Sequence, residues 1–515
     1  MMNEHGKSDR CVVSTKLPNN GMQAVQGQRP AEVMERRQLA KGNLQEQNTH
    51  RTQCRERVQS ALKRIRDAAK KDKKQKFTAL MHYVYSIDTL EEAYYSLKRN
   101  ASAGLDEVTW QQYKETLDEN LRVLSDKLKR GAYRAKPVKR SYIPKSDGQQ
   151  RPLGVLVLED KIVQGAATMV LNAIYETNFL GFSYGYRPGR NQHQCLNSLY
   201  VALQKKKVSY VMDADLQKFF DSINHEWLIK FIEHRVADKR IVRLIKKWLN
   251  AGIIEKGEWH CSEQGAIQGG VISPLLSNVF LHYTFDLWIQ QWRTKRQNSD
   301  IIVVRWADDF IVGFQYRGVA KQFMAELQMR LKKFSLTLHP DKTRLIEFGR
   351  FAIEDRLKRG AGKPESFDFL GFTHIVGKKY SNGMFTVIRK SIKKRLRVKL
   401  QDIKIELKRR MHDPIPEVGK WLKSVVGGYN RYFGVPTNKR AMWRFRNQIG
   451  YYWKHALRRR SQNSRCTWGR MARLMERWLP KPEIYHPYPL YACASLPKAR
   501  AGCASSASPD LWRGR

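Results

Sequence analysis

Acidic residues are scarce in this chain, and other features are missing with them. Asp and Glu number 48 against 95 Lys and Arg, a formal excess of +47 over 515 residues. A surface that positive repels itself unless a polyanion shares it, which points to nucleic acid as the main partner. A basic membrane-surface protein has the same balance, but here the charge is spread along the chain and no amphipathic anchor stands out. No apolar run approaches the ~20 residues that span a bilayer, so no membrane partner is expected. The opening Met1-Met2-Asn3-Glu4-His5-Gly6 lacks the apolar centre of a signal peptide. The seven cysteines are scattered and never two residues apart, which speaks against a zinc site or a disulfide frame. They read as reduced cytosolic thiols. The length leaves room for two or three domains with substantial cores.

What acids there are sit in telling places. Asp308-Asp309 lies between Ile301-Ile302-Val303-Val304 and Phe310-Ile311-Val312-Gly313-Phe314, two β-branched or aromatic runs that read as buried strands. Two carboxylates side by side there repel each other and lose hydration, and those strands carry no lysine cluster to compensate. Metal ions would compensate; the plainer alternative is a hairpin whose turn happens to be acidic. A second apolar run, Ser209 to Asp221, carries Asp213 and Asp215 on one face and ends in Phe219-Phe220. Spacing does not choose between those two acids. One Asp from one strand and two from a neighbouring hairpin is what a polymerase needs to hold two Mg²⁺ ions about 4 Å apart.

The rest of the chain reads in order. Residues 1–50 are polar and without period, hence mobile, and a helix begins near Glu56. The basic run Lys70 to Lys76 is either an RNA contact or a linker. Phe77 to Lys98 and His225 to Asn250 each read as one amphipathic helix. Val138 to Val157 reads as a hairpin turning at Lys145-Ser146-Asp147-Gly148. Phe182 to Arg190 interleaves aromatics with arginine, a pattern that suits base stacking and phosphate contact. Gln264 to Gly270 is a Gly-rich loop opening a helix at Ser273, where backbone can approach a base or phosphate. Lys393 to Met411 sets basic residues around an apolar stripe, while Trp421 and Phe433 read as packing. Between Thr437 and Trp478 there are ten Arg and one acid, with aromatics interleaved, the best surface for structured RNA or target DNA.

Asp215 followed by Phe219-Phe220, then Gln268-Gly269-Gly270-Val271-Ile272-Ser273-Pro274, then Ala307-Asp308-Asp309, resembles the ordered motifs of reverse transcriptases. The chain resembles most the reverse transcriptase/maturase proteins encoded by bacterial and organellar group II introns, over roughly residues 50–515. It departs in Trp306, where the family usually has tyrosine. The resemblance implies an α+β right-hand polymerase fold: fingers and palm over 51–380, a helical thumb or maturase domain over 381–460, and a basic DNA-binding tail over 461–515. It selects Asp215 over Asp213 and implies Asp215, Leu216, Asp308 and Asp309 as ligands of two Mg²⁺ ions. Lys342 becomes a candidate proton donor to the leaving pyrophosphate. Lys145 and Arg151 fall to the triphosphate, Phe220 to the sugar as a gate against a 2′-hydroxyl, and Gln268 and Gly269 to the nucleotide. Arg187 and Arg190 would meet the template, and Lys399, Arg444, Arg458, Arg459 and Arg460 the bound nucleic acid.

The implied function is RNA-directed DNA synthesis joined to intron maturation and homing. Its partners are group II intron RNA, a primed RNA template, deoxynucleoside triphosphates and target DNA. The implied location is the bacterial cytoplasm or an organelle. Cys493 and Cys503 lack the paired Cys and His of the family's nuclease module, so no endonuclease is expected. A splicing cofactor that binds RNA without polymerising, and an intron-derived enzyme recruited to host repair or defence, remain open alternatives.

Overall fold

The structure, a computed structural model, describes residues 31–144, 150–255, 258–260, 265, 268–296, 298–379, 382–460 and 466–489. Lys145 and the cysteines at 11, 261, 493 and 503 lie outside the described residues. The buried thiols of Cys54, Cys195 and Cys466 form no disulfide. No described helix is long and apolar enough to cross a membrane.

Helix α1 (Ala31–Lys71) starts well before Glu56, where the sequence reading placed it. Its sequence holds no proline and is dense in Glu, Gln, Arg, Leu and Ala, all good helix formers. The run Phe77 to Lys98 is not one helix either. It splits into α2 (Met81–Val84) and α3 (Ile87–Ser96), followed by α4 (Trp110–Glu115) and α5 (Leu117–Lys129). Strands β1 (Val138–Pro144) and β2 (Gln150–Val155) pair antiparallel, as the hairpin reading expects. Next come α6 (Leu158–Tyr175), α7 (Gln192–Lys205) and β3 (Tyr210–Asp215).

The stretch His225 to Asn250 also divides, into α8 (His225–Glu233) and α9 (Lys239–Leu249). The break between α8 and α9 has a tertiary cause, because its residues bind the segment just ahead of α2. Phe77 N–H donates to Arg235 O at 2.8 Å, and Ala237 N–H returns to Phe77 O at 2.8 Å. Asp238, 3% exposed, then accepts from the backbone N–H of Leu80 (2.8 Å), Met81 (2.9 Å) and Arg240 (3.0 Å). Burial pushes its carboxyl up, but those three donors and the Arg240 guanidinium outweigh it and hold the group below the usual carboxylate range. Asp238→Asn should therefore lower stability by about 1–3 kcal/mol in urea melts at neutral pH. A depressed carboxyl stabilises above its unfolded value, near ~3.9, and that contribution fades as pH falls through the folded value. The gap between wild type and variant should close in that acid window; a constant gap would refute the charge argument.

Strand β4 (Ile253–Glu255) runs parallel to β1 and pairs with β5 (Glu258–His260), which completes an N-terminal sheet ordered β2-β1-β4-β5. Helix α10 (Ser273–Leu281) continues through a π-helical turn at His282–Asp286 into α11 (Leu287–Thr294). Strands β6 (Ile301–Trp306) and β7 (Asp309–Phe314) form the acidic hairpin, and α12 (Arg317–Lys332), β8 (Arg344–Glu347) and α13 (Ala352–Lys358) follow. The central sheet is antiparallel in the order β6-β7-β3-β8. Because side chains alternate along a strand, it buries both faces. Met212, Ala214, Val303, Phe310 and Val312 join the core shared with the N-terminal helices. Val211, Ile302, Val304 and Ile311 join a second core.

That second core extends under β9 (Phe367–Phe369), β10 (Phe372–Lys378) and β11 (Phe385–Ser391), whose sheet runs β11-β10-β9. The β10–β11 pairing crosses residue 380, so the boundary drawn there cuts a hairpin. Helices α14 (Lys393–Arg409), α15 (Ile415–Phe433), α16 (Lys439–Arg458) and α17 (Trp468–Trp478) close the described chain. Phe433 is buried and Trp421 partly so, both in packing roles as expected. Met471 and Leu479 bury into the same core as Trp453 and Phe445. Residues 466–479 are thus part of the helical unit rather than a separate tail.

Candidate active site

Three acids meet where β3 and the β6–β7 hairpin lie side by side. Asp215 ends β3 directly opposite Asp309, and Asp308 is the turn residue before it. Two positions back, Asp213 stands opposite Ile311 on one side and Arg344 on the other. The Arg344 guanidinium reaches Asp213 at 3.6 Å. Lys342, in the loop before β8, donates to Asp215 Oδ2 at 2.7 Å. Each acid of β3 thus has a basic partner, and what separates them is position: Asp215 stands level with Asp309, and Asp213 with Ile311.

The carboxylates crowd one another. Burial, with the Asp215 charge, raises Asp308; Arg151 and Lys342 draw it partly back. Burial raises Asp309 well above the carboxylate range, helped by Asp213, Asp215 and Asp308, with Arg395 opposing. Burial also brings Asp213 up to about 6 despite Arg344. Concentrated negative charge with oxygen-only donors suits hard divalent cations. Among the described residues, no three His, Cys, Asp or Glu side chains close into a ready-made ion cage. A small hard cation does not need one, since it usually takes one or two carboxylates and completes its shell with substrate phosphates and water. The oxygen donors of Asp215, Asp308 and Asp309 are thus of the kind that suits a hard divalent ion.

An uncommon device fixes the turn. Ala307 takes φ +55° at the first of two turn positions, where glycine is usual. Beneath it lies Arg305, fully buried, although the rest of its strand is Ile, Val and Trp. Its guanidinium pairs with the equally buried Asp286 at 2.5 and 2.7 Å, and also donates to Ala307 O (2.8 Å), Ser183 Oγ (2.7 Å) and Asn278 Oδ1 (3.2 Å). Sequence reasoning missed Arg305, Asp286 and Asn278. The available signal was a lone arginine inside a run of β-branched residues, which demands a buried acid somewhere else.

The Gly-rich loop docks on the N-terminal sheet. Gly154 N–H donates to Gln268 O at 2.6 Å, and a Cβ on Gly269 (φ +107°) would sit 2.4 Å from Gly154 O, so only glycine fits. The Gln268 amide oxygen is shielded from solvent and has no partner among the described residues. Arg151, three residues before Gly154, is exposed and near enough to pull on Asp308. Phe220 is partly buried beside the buried Phe219, with ring centroids 5.5 Å apart. Trp306 packs partly buried against the second core and pairs across the hairpin with Asp309. Leu216 is buried and bridges to Leu338.

Other expected contacts fall elsewhere. Arg187 is buried, paired with Glu176 at 2.9 Å, and donates to the carbonyls of Leu180 and Ser183 at 2.8 Å. Its guanidinium is consumed in holding the loop, which corrects its assignment to nucleic acid. Arg190 is half-buried and donates to Gly181 O at 3.0 Å. Arg460 likewise ties the end of α16 to Asp413 O at 2.7 Å. Arg444, Arg458 and Arg459 are exposed on or just after α16, and Lys399 is half-exposed on α14.

Comparison with known proteins bears on this geometry. Residues 143–374, which include the central sheet and β2, β4 and β5 of the N-terminal one, match the reverse transcriptase (RNA-dependent DNA polymerase) family. The chain is 33% identical to protein YkfC of Escherichia coli over 283 residues, 48% of this chain and 74% of YkfC. It is 32% identical to the group II intron-encoded protein LtrA of Lactococcus lactis over 235 residues, 45% of this chain but only 39% of LtrA. A putative COX1/OXI3 intron 2 protein of Saccharomyces cerevisiae is 34% identical over 188 residues, 36% of this chain and 21% of that protein. With its acids, turn and Gly-rich loop in this arrangement, the chain belongs to the group II intron-encoded reverse transcriptase/maturase family.

Proposed function

We propose that the chain is an RNA-directed DNA polymerase that also serves as an intron maturase, binding intron RNA and copying it into DNA during homing. The observation that carries this is Asp215 standing opposite Asp309, with Asp308 at the turn. In this reading the central sheet is the palm, the N-terminal sheet the fingers, and α14–α17 the thumb and maturase surface. Asp215, Asp308 and Asp309 would hold two Mg²⁺ ions, with Leu216 contributing through its carbonyl, since its side chain has no donor. When bound, such ions lower the pKa of the primer 3′-hydroxyl and neutralise the departing pyrophosphate.

The chain's own groups do the rest. Arg151 offers a bidentate fork to the triphosphate, and Lys145 a point charge. Gln268 turns its partnerless amide oxygen to the nucleotide, and the Gly269 backbone lets the substrate approach. Phe220 closes the space a ribose 2′-hydroxyl would need. Lys342, already 2.7 Å from Asp215, supplies a proton to the leaving group. Arg444, Arg458 and Arg459 give the helical region its exposed charge for intron RNA and target DNA.

The direct test is extension of a DNA primer on an RNA template, run beside RNA binding. Binding without extension would favour the splicing cofactor that does not polymerise. RNA affinity should also fall at least about a hundredfold between roughly 50 and 200 mM salt, since each neutralised phosphate releases counterions. A flat salt response would sink the polyanion surface.

A further inference from the structure

Tyr186 has no part in the site as described so far. It follows Gly185 in a loop that runs beside β6, and backbone contacts fix that loop's register. Arg305 N–H donates to Phe182 O and Tyr184 N–H to Arg305 O, each at 2.9 Å, around a parallel bridge between Ser183 and Arg305. Beyond the end of β6 the loop stays against the turn, with Gly185 on Ala307, so that Tyr186 follows Gly185 as Asp308 follows Ala307. The approach is close: a Cβ on Gly185 would lie 2.4 Å from Ala307 N, and the Asn278 amide holds Gly185 O at 2.7 Å.

Phe182 and Tyr184 are buried in this loop, whereas Tyr186 is 46% exposed. Its φ is +58°, a left-handed conformation that costs a side chain energy and that gathers at functional sites. Glycine would relax the backbone, yet an aromatic ring stands there facing solvent. Its hydroxyl is raised by its packing and by Asp308 and drawn down by Arg151, so it feels the acid turn and the N-terminal sheet at once.

We infer that Tyr186 is a substrate-positioning residue whose ring supports the base of the incoming nucleotide as it pairs with the template. The inference rests on the polymerase reading above. A nucleotide whose inner phosphate reaches Asp308 while its outer phosphates reach Arg151 must span the distance between them, and Tyr186 presents an exposed ring on that path. Stacking on a flat ring tolerates every base, so the contact acts on nucleotide affinity without choosing among the four.

Steady-state extension of a primed RNA template with Tyr186→Phe, Tyr186→Ala and Tyr186→Gly tests it. Phe should keep the KM for each deoxynucleotide within about twofold of wild type. Ala and Gly should raise it roughly tenfold for all four, with kcat and primer–template affinity changing far less. The glycine variant also removes the backbone strain and should melt no lower than wild type, so a folding defect does not mimic the effect. An unchanged KM in the glycine variant, or a loss confined to kcat, overturns the inference and leaves the polymerase reading standing. A wild-type chain that extends no primer overturns both.

Discussion

Asp308→Asn together with Asp309→Asn will cut primer extension by at least about a thousandfold, the scale on which single electrostatic groups in active sites act. Asparagine keeps the size and hydrogen bonding of aspartate and removes only its charge, so RNA affinity should stay within about twofold. Asp215→Asn alone should be nearly as damaging, because Asp215 stands opposite Asp309 across the strand pair. Asp213→Asn separates the candidates that spacing left tied. Asp213 stands opposite Ile311, two residues back from the strand end, so its loss should slow extension by no more than about tenfold. Extension that survives the double change, or dies equally with Asp213, would remove the metal assignment. The same variants carry a second readout. Burial, with the neighbouring acids, raises both Asp308 and Asp309, which means their charged forms oppose folding. In buffer free of divalent ions the double asparagine variant should melt above wild type, a sign that the site sacrifices stability for function.

The strands, the acid turn and its hairpin partner were all legible, because β-branched runs and alternation leave a strong local signal. Asp215 in place of Asp213 was reachable only through the family resemblance, since two acids on one face look alike until the neighbouring strands are known. The non-helical start at Phe77–Leu80 and the break at Arg235–Asp238 were not legible. Each segment keeps its helical period through the gap, and the deciding contacts join residues about 160 positions apart, such as Leu80 with Asp238. Arg187 misled for a related reason. An arginine beside Pro188 and Gly189 looks like a phosphate ligand, and nothing local announces that Glu176 is folded back onto it. Tyr186 sat inside a stretch correctly marked as aromatic and basic, but only burial separates it from Phe182 and Tyr184. Charge and periodicity therefore located the site, while long-range pairing decided which side chains face it.

Arg305→Met should lower the free energy of unfolding by about 3–5 kcal/mol, a large fraction of the roughly 5–15 kcal/mol a domain has. Arg305 and Asp286 are both wholly buried, so removing the cation leaves an uncompensated carboxylate in the core. Arg305→Lys keeps the charge but loses the planar fork that reaches Asp286, Asn278, Ser183 and Ala307 together, and should fall between. Pairing Arg305→Met with Asp286→Leu removes the orphaned acid and should recover more than half of the lost stability in urea melts. Activity should not recover with it. The Ala307 carbonyl, at a residue with φ +55°, would have lost its donor, and Asp308 hangs from that turn. Stability returning without extension would separate the two tasks of one side chain: neutralising a buried acid, and holding a strained turn in the shape that presents Asp308. If the double variant regains extension along with stability, the turn holds itself and Arg305 is only a counter-charge.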